Sequence, residues 1–374
     1  MHLLRVQVPD FRGLKDIDIT FEKDFFPKIF PLGSQNGGGK STLLQLIFVL
    51  LHCSVDEQKK PFLENLLQGF KVAAPEERRV LALIDIWDGE KIVKLEFFCC
   101  QSPGFLKYNE IESHTIHICF YSDCKNNPER EQNTELLCYF NNQKNDEKNV
   151  FLNKISRKIF LAAPSTQVFL FLPLDSRKLL FSTSSKEDKN YYGILESARS
   201  KLNGLFTYDF LAVKLLIKSF KDARDRDFRE AIKTGNYGNS YQALINDLNL
   251  LLGNKRINLN EDFSGVNFQL YNNGEAIELY PEDLSHGELK RLSIYIWLKS
   301  RNIKDAIVLM DEVEIAFHPD WQYQIISDLK EWTPSNQYIL ATHSYALCEA
   351  LTPAHVKEIE PKLIKQESNI TNES

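Results

Sequence analysis

The sequence predicts an α/β fold in which helices flank a parallel β-sheet, with an antiparallel β part at the N-terminal end and a helical segment in the middle. Two observations predict the parallel part. An apolar strand near residue 30 ends in a glycine-rich turn before an apolar helix, and the C-terminal part alternates strands with helices. The antiparallel part is predicted by "HLLRVQVPDFRGLKDIDITFE", which alternates apolar and polar positions on both sides of a polar turn.

The elements follow in order along the chain. After the N-terminal hairpin, "FFPKIFPLG" predicts a short strand and residues 40–52 predict a helix. Three strands are expected next, at "RRVLALIDIWD", "EKIVKLEFFCC" and "HTIHICFYS". Residues 126–149 are polar and Asn-rich and predict a loop around one short strand, whereas 167–174 predict a buried strand. The pattern of 190–253 is helical, and a hairpin, two helices and the buried strands "AIVLM" and "QYILAT" follow it.

Composition excludes several classes of protein. The 374 residues are 43% hydrophobic and 26% charged with a net charge of −6, which is typical of a globular protein and argues against a dedicated DNA-binding domain, though not against a local basic groove. We expect a cytoplasmic location without membrane contact, because no secretory signal is visible and the most apolar helix is too short to span a bilayer. The seven scattered Cys indicate reduced thiols, and a zinc site at Cys119, Cys124 and Cys138 is the alternative.

The stretch "GSQNGGGKST" at 33–42 has the pattern of a phosphate-binding loop. Three glycines allow the backbone N–H groups to approach an anion at a helix N-terminus, where Lys40 would contact terminal phosphates and Ser41 would ligate Mg²⁺. The first glycine of the usual pattern would stand at position 34, where this chain has Ser34 after Gly33. The alternative is a flexible glycine-rich loop without a ligand.

Two later strands end in polar residues. "AIVLM" ends in Asp311 and Glu312, which places both carboxylates at the edge of the sheet where α/β proteins bind ligands. Asp311 would hold Mg²⁺ and Glu312 would polarise an attacking water. After "YILAT", His343 could hydrogen-bond a terminal phosphate. The alternatives are an exposed acidic pair and a structural histidine.

The segment "LSHGE" begins the helix at 285–300. Ser285 with Glu288 three residues later predicts a capping box, and this alone is a sufficient structural explanation. The Ser285 hydroxyl and the Gly287 amide at a helix N-terminus could also bind a terminal phosphate. Both interpretations use the same helix cap.

These motifs, in this order, resemble the ATP-binding-cassette (ABC) type of ATPase. "LSHGE" is similar to the signature L-S-x-G-E/Q, and "DEVEIAFHP" resembles the D-E-P-E-x-x-L-H-P of the SMC, RecF, RecN and OLD-like branch, as does the opening "VPDFRGL". Ser34, Val313 and Phe317 depart from the family pattern. The resemblance implies a P-loop NTPase with ABC-ATPase head architecture, an N-terminal antiparallel β subdomain and a helical insert.

The resemblance also implies cofactors, partners and a site. ATP and Mg²⁺ are the expected cofactors, and two heads would form a homodimer around two ATP molecules, with Ser285 acting in trans. The expected catalytic residues are Glu312 and His343, and the expected metal ligands are Ser41 and Asp311. The expected nucleotide-binding residues are Arg12, Asn36, Gly37, Gly38, Gly39, Lys40, Ser41, Thr42, Ser285, Gly287 and Glu288. Gln167 and Gln132 are both candidates for the glutamine of the family's Q-loop.

The expected domain organisation follows from the same resemblance. Residues 1–185 would form the N-terminal part of the head, 186–260 a helical lid-like insert, 261–355 the C-terminal part of the head and 356–374 a tail. A stand-alone ATPase that controls a separate effector, such as a nuclease or a toxin, in DNA repair or phage defence is the expected function. A nucleotide-gated scaffold with little turnover is one alternative. The other is a RecF-like protein that contacts DNA directly through 218–233, a segment whose acids nearly balance its bases.

Overall fold

The computed structural model describes residues 1–33, 37–72, 78–101, 114–122, 133–141, 145–181, 191–208, 213–262, 264–272 and 275–359. The strands are β1 (His2–Phe11), β2 (Leu14–Thr20), β3 (Ile29–Gly33), β4 (Arg79–Trp87), β5 (Ile92–Gln101), β6 (Thr115–Ser122), β7 (Asn133–Phe140), β8 (Ile159–Ala163), β9 (Leu205–Thr207), β10 (Lys255–Leu259), β11 (Val266–Asn272), β12 (Glu275–Leu279), β13 (Ile307–Asp311), β14 (Gln337–Ala341) and β15 (Lys357–Glu358). The α-helices are α1 (Lys40–Cys53), α2 (Lys60–Leu67), α3 (Asn145–Ser156), α4 (Leu174–Lys178), α5 (Tyr191–Lys201), α6 (Val213–Thr234), α7 (Ser240–Leu252), α8 (His286–Ser300), α9 (Pro319–Trp332) and α10 (Tyr345–Glu349).

A parallel sheet has the strand order β15-β3-β14-β13-β8-β9. Every neighbouring pair in it is parallel, so the carboxyl ends of β3, β13 and β14 lie at one edge. β13 and β14 are buried at every residue, as apolar strands covered on both faces must be. This sheet therefore collects the ends of three predicted motif strands at one edge.

An antiparallel sheet of order β2-β1-β4-β5-β7-β6 is formed by the N-terminal part of the chain. Apolar residues of this sheet, of α1 and of one face of the parallel sheet form a continuous hydrophobic core. Helix α1 is central to this core, since Leu44, Leu46 and Phe48 are all fully buried. The uniformly apolar sequence after the phosphate loop is thus explained by burial on all sides.

The other face of the parallel sheet packs on a second core formed with α6, α7, α8 and α9. A small antiparallel sheet of order β10-β11-β12 follows α7 and leads into α8. The segment 190–253, helical in its sequence pattern, contains α5, α6 and α7, and it also supplies β9 to the parallel sheet. The α/β fold class with its antiparallel N-terminal part is confirmed.

One predicted element is wrong, and a second is wrong in part. Residues 167–174 form turns and the start of α4 instead of a strand, and the backbone N–H of Leu170 donates to the side chain of Gln45. A buried apolar run does not by itself distinguish a strand from a buried turn, and Phe169 and Phe171 are fully buried here. The short strand predicted within 126–149 is present as β7, but the stretch also includes the start of α3, where a loop was predicted. The buried apolar residues of α3, such as Leu152 and Ile155, lie beyond the stretch.

No α-helix among the described residues is both long enough and apolar enough to cross a membrane. Cys119 and Cys138 of the alternative zinc site are buried on β6 and β7, and Cys124 lies outside the described residues.

Candidate functional site

The candidate site lies at the carboxyl edge of the parallel sheet, where three neighbouring strands end. The glycine loop follows β3, and His343 comes shortly after β14. Asp311 is the last residue of β13, and Glu312 directly follows it. The parallel pairing of β3 with β14 and of β14 with β13 places these three strand ends side by side. This is the position at which open α/β sheets bind ligands.

The described part of the glycine loop has the backbone that a phosphate loop needs. Gly37 and Gly39 have φ angles of 83° and 84°, in the left-handed region that glycine adopts without strain. A Cβ atom at Gly39 would also lie 2.5 Å from the Leu14 side chain, so the β1–β2 hairpin packs directly on the loop. Ser34 and Asn36 lie outside the described residues.

Ser41 and Asp311 form the best candidate for a metal-binding pair. The Ser41 hydroxyl donates to Oδ1 of Asp311 at 3.0 Å, and the aspartate is 2% exposed. Burial raises the pKa of Asp311 to about 7. The Ser41 hydrogen bond opposes this shift, the nearby charges of Glu312 and Glu314 add to it, and Lys40 opposes it. A hydroxyl and a carboxylate among several acidic groups are the oxygen donors that suit Mg²⁺, so these residues fit the ion.

Glu312 is held in position from several directions. Its φ of 51° is in the left-handed region, which is strained for a residue with a side chain. The Gln167 amide donates to Oε2 of Glu312 at 2.6 Å. On the backbone side, Lys290 of α8 donates to the carbonyl oxygens of Glu312 and Ile315 at 3.0 and 3.1 Å. A strained conformation supported in this way directs one carboxylate at the edge of the sheet.

His343 lies beside the lysine of the loop. The Lys40 ammonium is 3.4 Å from Nδ1 of His343, and since lysine has no acceptor, Nδ1 must accept. The neutral imidazole then carries its proton on Nε2, the nitrogen that could donate to a phosphate. The backbone N–H of His343 donates to Oε1 of Glu314 at 2.8 Å, so a second buried carboxylate fixes this loop.

The signature segment forms the predicted capping box at the start of α8. The Glu288 N–H donates to the Ser285 hydroxyl at 3.3 Å, and the Ser285 N–H donates to Glu288 at 2.9 Å. Burial alone would raise the pKa of Glu288, but hydrogen bonds from Lys255 and Ser285 lower it overall. A Cβ at Gly287 would lie 2.8 Å from the carbonyl oxygen of Ala316, so glycine allows α8 to pack closely on the segment that follows Glu312.

The remaining predicted residues lie around the loop and its hairpin. Gly38 is buried, and Thr42 is half-buried in the first turn of α1. Arg12 lies in the β1–β2 turn and donates to the carbonyl oxygen of Leu66 at 2.9 Å. Burial and the nearby charge of Arg177 lower the pKa of Arg12. Arg12 therefore lies in a hairpin that packs on the phosphate loop, but its side chain donates its hydrogen bond to α2.

The sequence analysis missed two residues of the site, Glu314 and Lys290. Glu314 is the second glutamate of "DEVEIAFHP", so the motif itself held a signal for it, although the pattern does not show its contact with His343. Lys290 lies just after "LSHGE" and had no signal in the quoted motifs. Of the two Q-loop candidates, Gln167 contacts Glu312, whereas Gln132 lies outside the described residues. The motif order and the site geometry together define the class of protein: an ABC-type ATPase of the SMC/RecF-like branch, as the sequence resemblance predicted.

Comparison with known families agrees with this class. Residues 144–349, more than half of the chain, match the family described as "AAA domain, putative AbiEii toxin, Type IV TA system". The chain belongs to this family.

Two curated relatives share short segments with the chain. The "Retron Vc95 probable ATPase" of Vibrio cholerae serotype O1 biovar El Tor is 37% identical over 69 residues, and the "Retron Ec83 probable ATPase" of Escherichia coli is 35% identical over 51 residues. These matches cover 17% and 14% of this chain and only 13% and 9% of the two relatives.

Solved structures of SMC heads resemble the chain over most of its length. The SMC head domain from Thermotoga maritima has a TM-score of 0.45 and 11% identity, covering 94% of this chain and 92% of that one. An SMC head bound to the C-winged helix domain of ScpA has a TM-score of 0.43 and 11% identity, with the same coverage.

Proposed function

We propose that the chain binds ATP with Mg²⁺ at the carboxyl edge of the parallel sheet and hydrolyses it. The contact that best supports this proposal is the 2.6 Å hydrogen bond from Gln167 to Glu312, beside the Ser41–Asp311 pair. A carboxylate positioned beside a candidate metal-binding pair is suited to accept a proton from a water at that site.

The roles of the side chains follow from their positions. The loop amides and Lys40 would bind phosphate oxygens, while Ser41 and Asp311 would hold Mg²⁺, which neutralises charge on those oxygens. Glu312 would accept a proton from the attacking water, because Gln167 orients the carboxylate through one of its two oxygens. His343 would donate from Nε2 to the terminal phosphate.

The test of hydrolysis uses Glu312→Gln, which removes the base and keeps the size of the side chain. Phosphate release at saturating ATP should fall by about 10²-fold or more, while ATP affinity should change by less than about threefold. Glu331→Gln is the matched control, because Glu331 is exposed on α9. If the parent releases no more phosphate than Glu312→Gln, the chain does not work through turnover, and the nucleotide-gated scaffold is the better interpretation.

The proposal includes an ATP-dependent homodimer in which Ser285 contacts the nucleotide of the other head. Support comes from the exposure of Ser285 and its neighbour His286 at the N-terminus of α8, where an anion is favoured. Glu312→Gln with ATP and Mg²⁺ should sediment as a dimer, and adding Ser285→Arg should return it to a monomer. Ser197→Arg, an exposed serine on α5, is the control. A dimer that survives Ser285→Arg would contradict the role of Ser285 in trans.

The output of the ATPase is proposed to be control of a separate effector in phage defence or DNA repair. The names of the two relatives, each printed as a retron "probable ATPase", and the toxin–antitoxin description of the family support this part of the proposal. Affinity purification of the chain from its native cells, with Glu312→Gln as the ATP-trapped form, should enrich one protein over Lys40→Ala. Recovery of the same proteins with Glu312→Gln and Lys40→Ala would contradict nucleotide-controlled binding.

A further inference from the structure

A second surface lies at the opposite end of the parallel sheet from the phosphate loop. The strands are parallel, so their amino ends share one edge, and Lys28 directly precedes β3 while Lys158 directly precedes β8. Lys154 of α3 and Lys330 of α9 lie on elements beside this edge. This end of the molecule carries lysines from several elements.

A cleft of about 420 Å³ opens on this end between the start of β1, the end of β4 and the β2–β3 connection. The Lys23 ammonium lies 4.3 Å from the centre of the Trp87 ring, and the Lys28 ammonium lies 3.2 Å from Nε2 of His2. Phe26 is 63% exposed, with the Lys330 ammonium 5.0 Å from its ring centre. Lysine side chains held against rings in this way keep their charges at the surface.

We call this end of the molecule the basic cleft. Lys23 and Lys28 line the cleft together with Asp24, and Lys154, Lys158 and Lys330 lie on the elements beside it. Within the described part of the chain, the one ion pair of these five joins Lys23 to Asp24 at 4.0 Å, and the aspartate side chain is 92% exposed. Lys154 and Lys158 donate to the backbone carbonyl oxygens of Asp88 and Lys304, which do not cancel their charge.

Lys28 contributes to the pKa shifts of two neighbouring groups, although burial is the larger cause of both shifts. Burial lowers the pKa of His2 to about 4, and the charge of Lys28 adds to the shift. The pKa of the Met1 amino group is lowered mainly by burial; Asp305 opposes this, and Lys28, Lys158 and Lys154 add to it. Lys28, Lys154 and Lys158 thus act together on the amino group of Met1, and the carboxylate of Asp305 opposes them.

The α6 segment at 218–233 differs from the basic cleft, although it also carries several basic residues. Lys218 pairs with Asp222 at 2.6 Å, and Arg224 pairs with Asp225 at 2.9 Å. Its bases are thus partly neutralised by adjacent acids, which weakens it as a contact for a polyanion.

We propose that the basic cleft binds the phosphate groups of a nucleic-acid strand, with the exposed Phe26 ring as a platform for a base. Positive charges from separate elements suit a ligand whose phosphates repeat along a strand, and an exposed aromatic ring suits stacking with any base. A local positive surface on a chain whose net charge is −6 would attract an anionic ligand to this end of the molecule. The proposal does not depend on whether the chain hydrolyses ATP.

The test measures binding of a fluorescein-labelled single-stranded DNA of about 20 nucleotides by anisotropy, between about 50 and 200 mM NaCl. Saturating ADP and Mg²⁺ are present throughout, to keep the DNA from the phosphate loop. One variant combines Lys23→Gln, Lys28→Gln and Lys158→Gln. Its matched control neutralises three lysines of α6, Lys218→Gln, Lys221→Gln and Lys233→Gln. Circular dichroism of every variant verifies the fold.

We expect the parent to bind with an affinity that falls steeply with salt. Neutralising the basic cleft should weaken binding at least about tenfold and reduce the slope of log affinity against log salt by about 2, with less than about twofold weakening for the α6 control. Phe26→Ala should weaken binding about fivefold or more and leave the slope unchanged.

Three results would overturn the proposal. The first is no binding by the parent at about 50 mM salt. Equal weakening of both triple variants would place the contact elsewhere. Competition by a nucleoside monophosphate or by inorganic phosphate as effectively as by unlabelled DNA, at equal phosphate concentration, would identify a small phosphate compound as the ligand instead of a strand.

Discussion

Glu314 offers a sharp test of how the site is assembled. Its carboxylate is buried, 9% exposed, and Oε1 accepts the backbone N–H of His343 at 2.8 Å, which joins the segment after β13 to the loop after β14. Glu314→Ala removes the acceptor and leaves the amide of His343 without its partner. Hydrogen bonds to charged groups contribute about 1.5–3 kcal/mol, so the placement of His343 should lose that amount of stabilisation.

The expected result is a fall in ATP turnover of about 10- to 100-fold, which is that free energy expressed as a rate. The KM for ATP should change by less than about threefold, because the loop amides and Lys40, which are proposed to bind the phosphates, do not take part in the hydrogen bond of Glu314. Glu314→Gln keeps an oxygen acceptor and loses the charge, so its turnover should lie between those of the parent and Glu314→Ala.

Phosphate release at saturating ATP and Mg²⁺ measures the effect, and thermal unfolding shows whether each variant is folded. Glu282→Ala, an exposed acid before α8, is the control and should match the parent. The reasoning is refuted if folded Glu314→Ala turns over ATP within about twofold of the parent. It is also refuted if Glu314→Gln is as slow as Glu314→Ala, since the loss would then come from the charge and not from the hydrogen bond.

Three more predictions follow from the site. Because the folded pKa of Asp311 is raised to about 7 and a metal ligand must be ionised, Mg²⁺-dependent nucleotide affinity should rise up to about tenfold per pH unit below pH 7 and level off above it. Without nucleotide, the free energy of unfolding should fall as pH rises from about 4 to 7, because the folded state keeps a proton on Asp311 that the unfolded state has already lost. Calorimetry at several pH values tests both effects. Gly287→Ala should lower the melting temperature by several degrees, because its Cβ meets the carbonyl oxygen of Ala316 at 2.8 Å, and an unchanged melting temperature would contradict this contact. Gln167→Ala should slow turnover about tenfold or more at unchanged ATP affinity, with no further effect in the Glu312→Gln background, as a double-mutant cycle would show.

The sequence indicated most directly the parts of the site that are contiguous segments, and it placed Asp311 beside Ser41 through the family pattern and the ends of parallel strands. The phosphate loop is a contiguous segment, and the Ser285–Glu288 capping box spans one turn, so spacing alone indicates both. Gln167 lies 145 residues from Glu312, and the predicted strand at 167–174 would have directed its side chain differently. Its contact depends on a turn that the apolar pattern conceals, because burial of Phe169 and Phe171 is compatible with either backbone.

Lys290 connects α8, which begins with the signature segment, to the segment that carries Glu312. Lys290 is 5% exposed, and its ammonium donates to two carbonyl oxygens of the segment that carries Glu312, while Gly287, one turn earlier, lets α8 touch Ala316. Buried charge-assisted hydrogen bonds and close packing resist independent movement of the two elements. A displacement of Glu312 that accompanies nucleotide binding would therefore be carried to Ser285 at the start of the same helix. In the proposed dimer, the start of α8 faces the other head. A change at Glu312 in one nucleotide site would therefore alter the second site through the contact between α8 and the Glu312 segment.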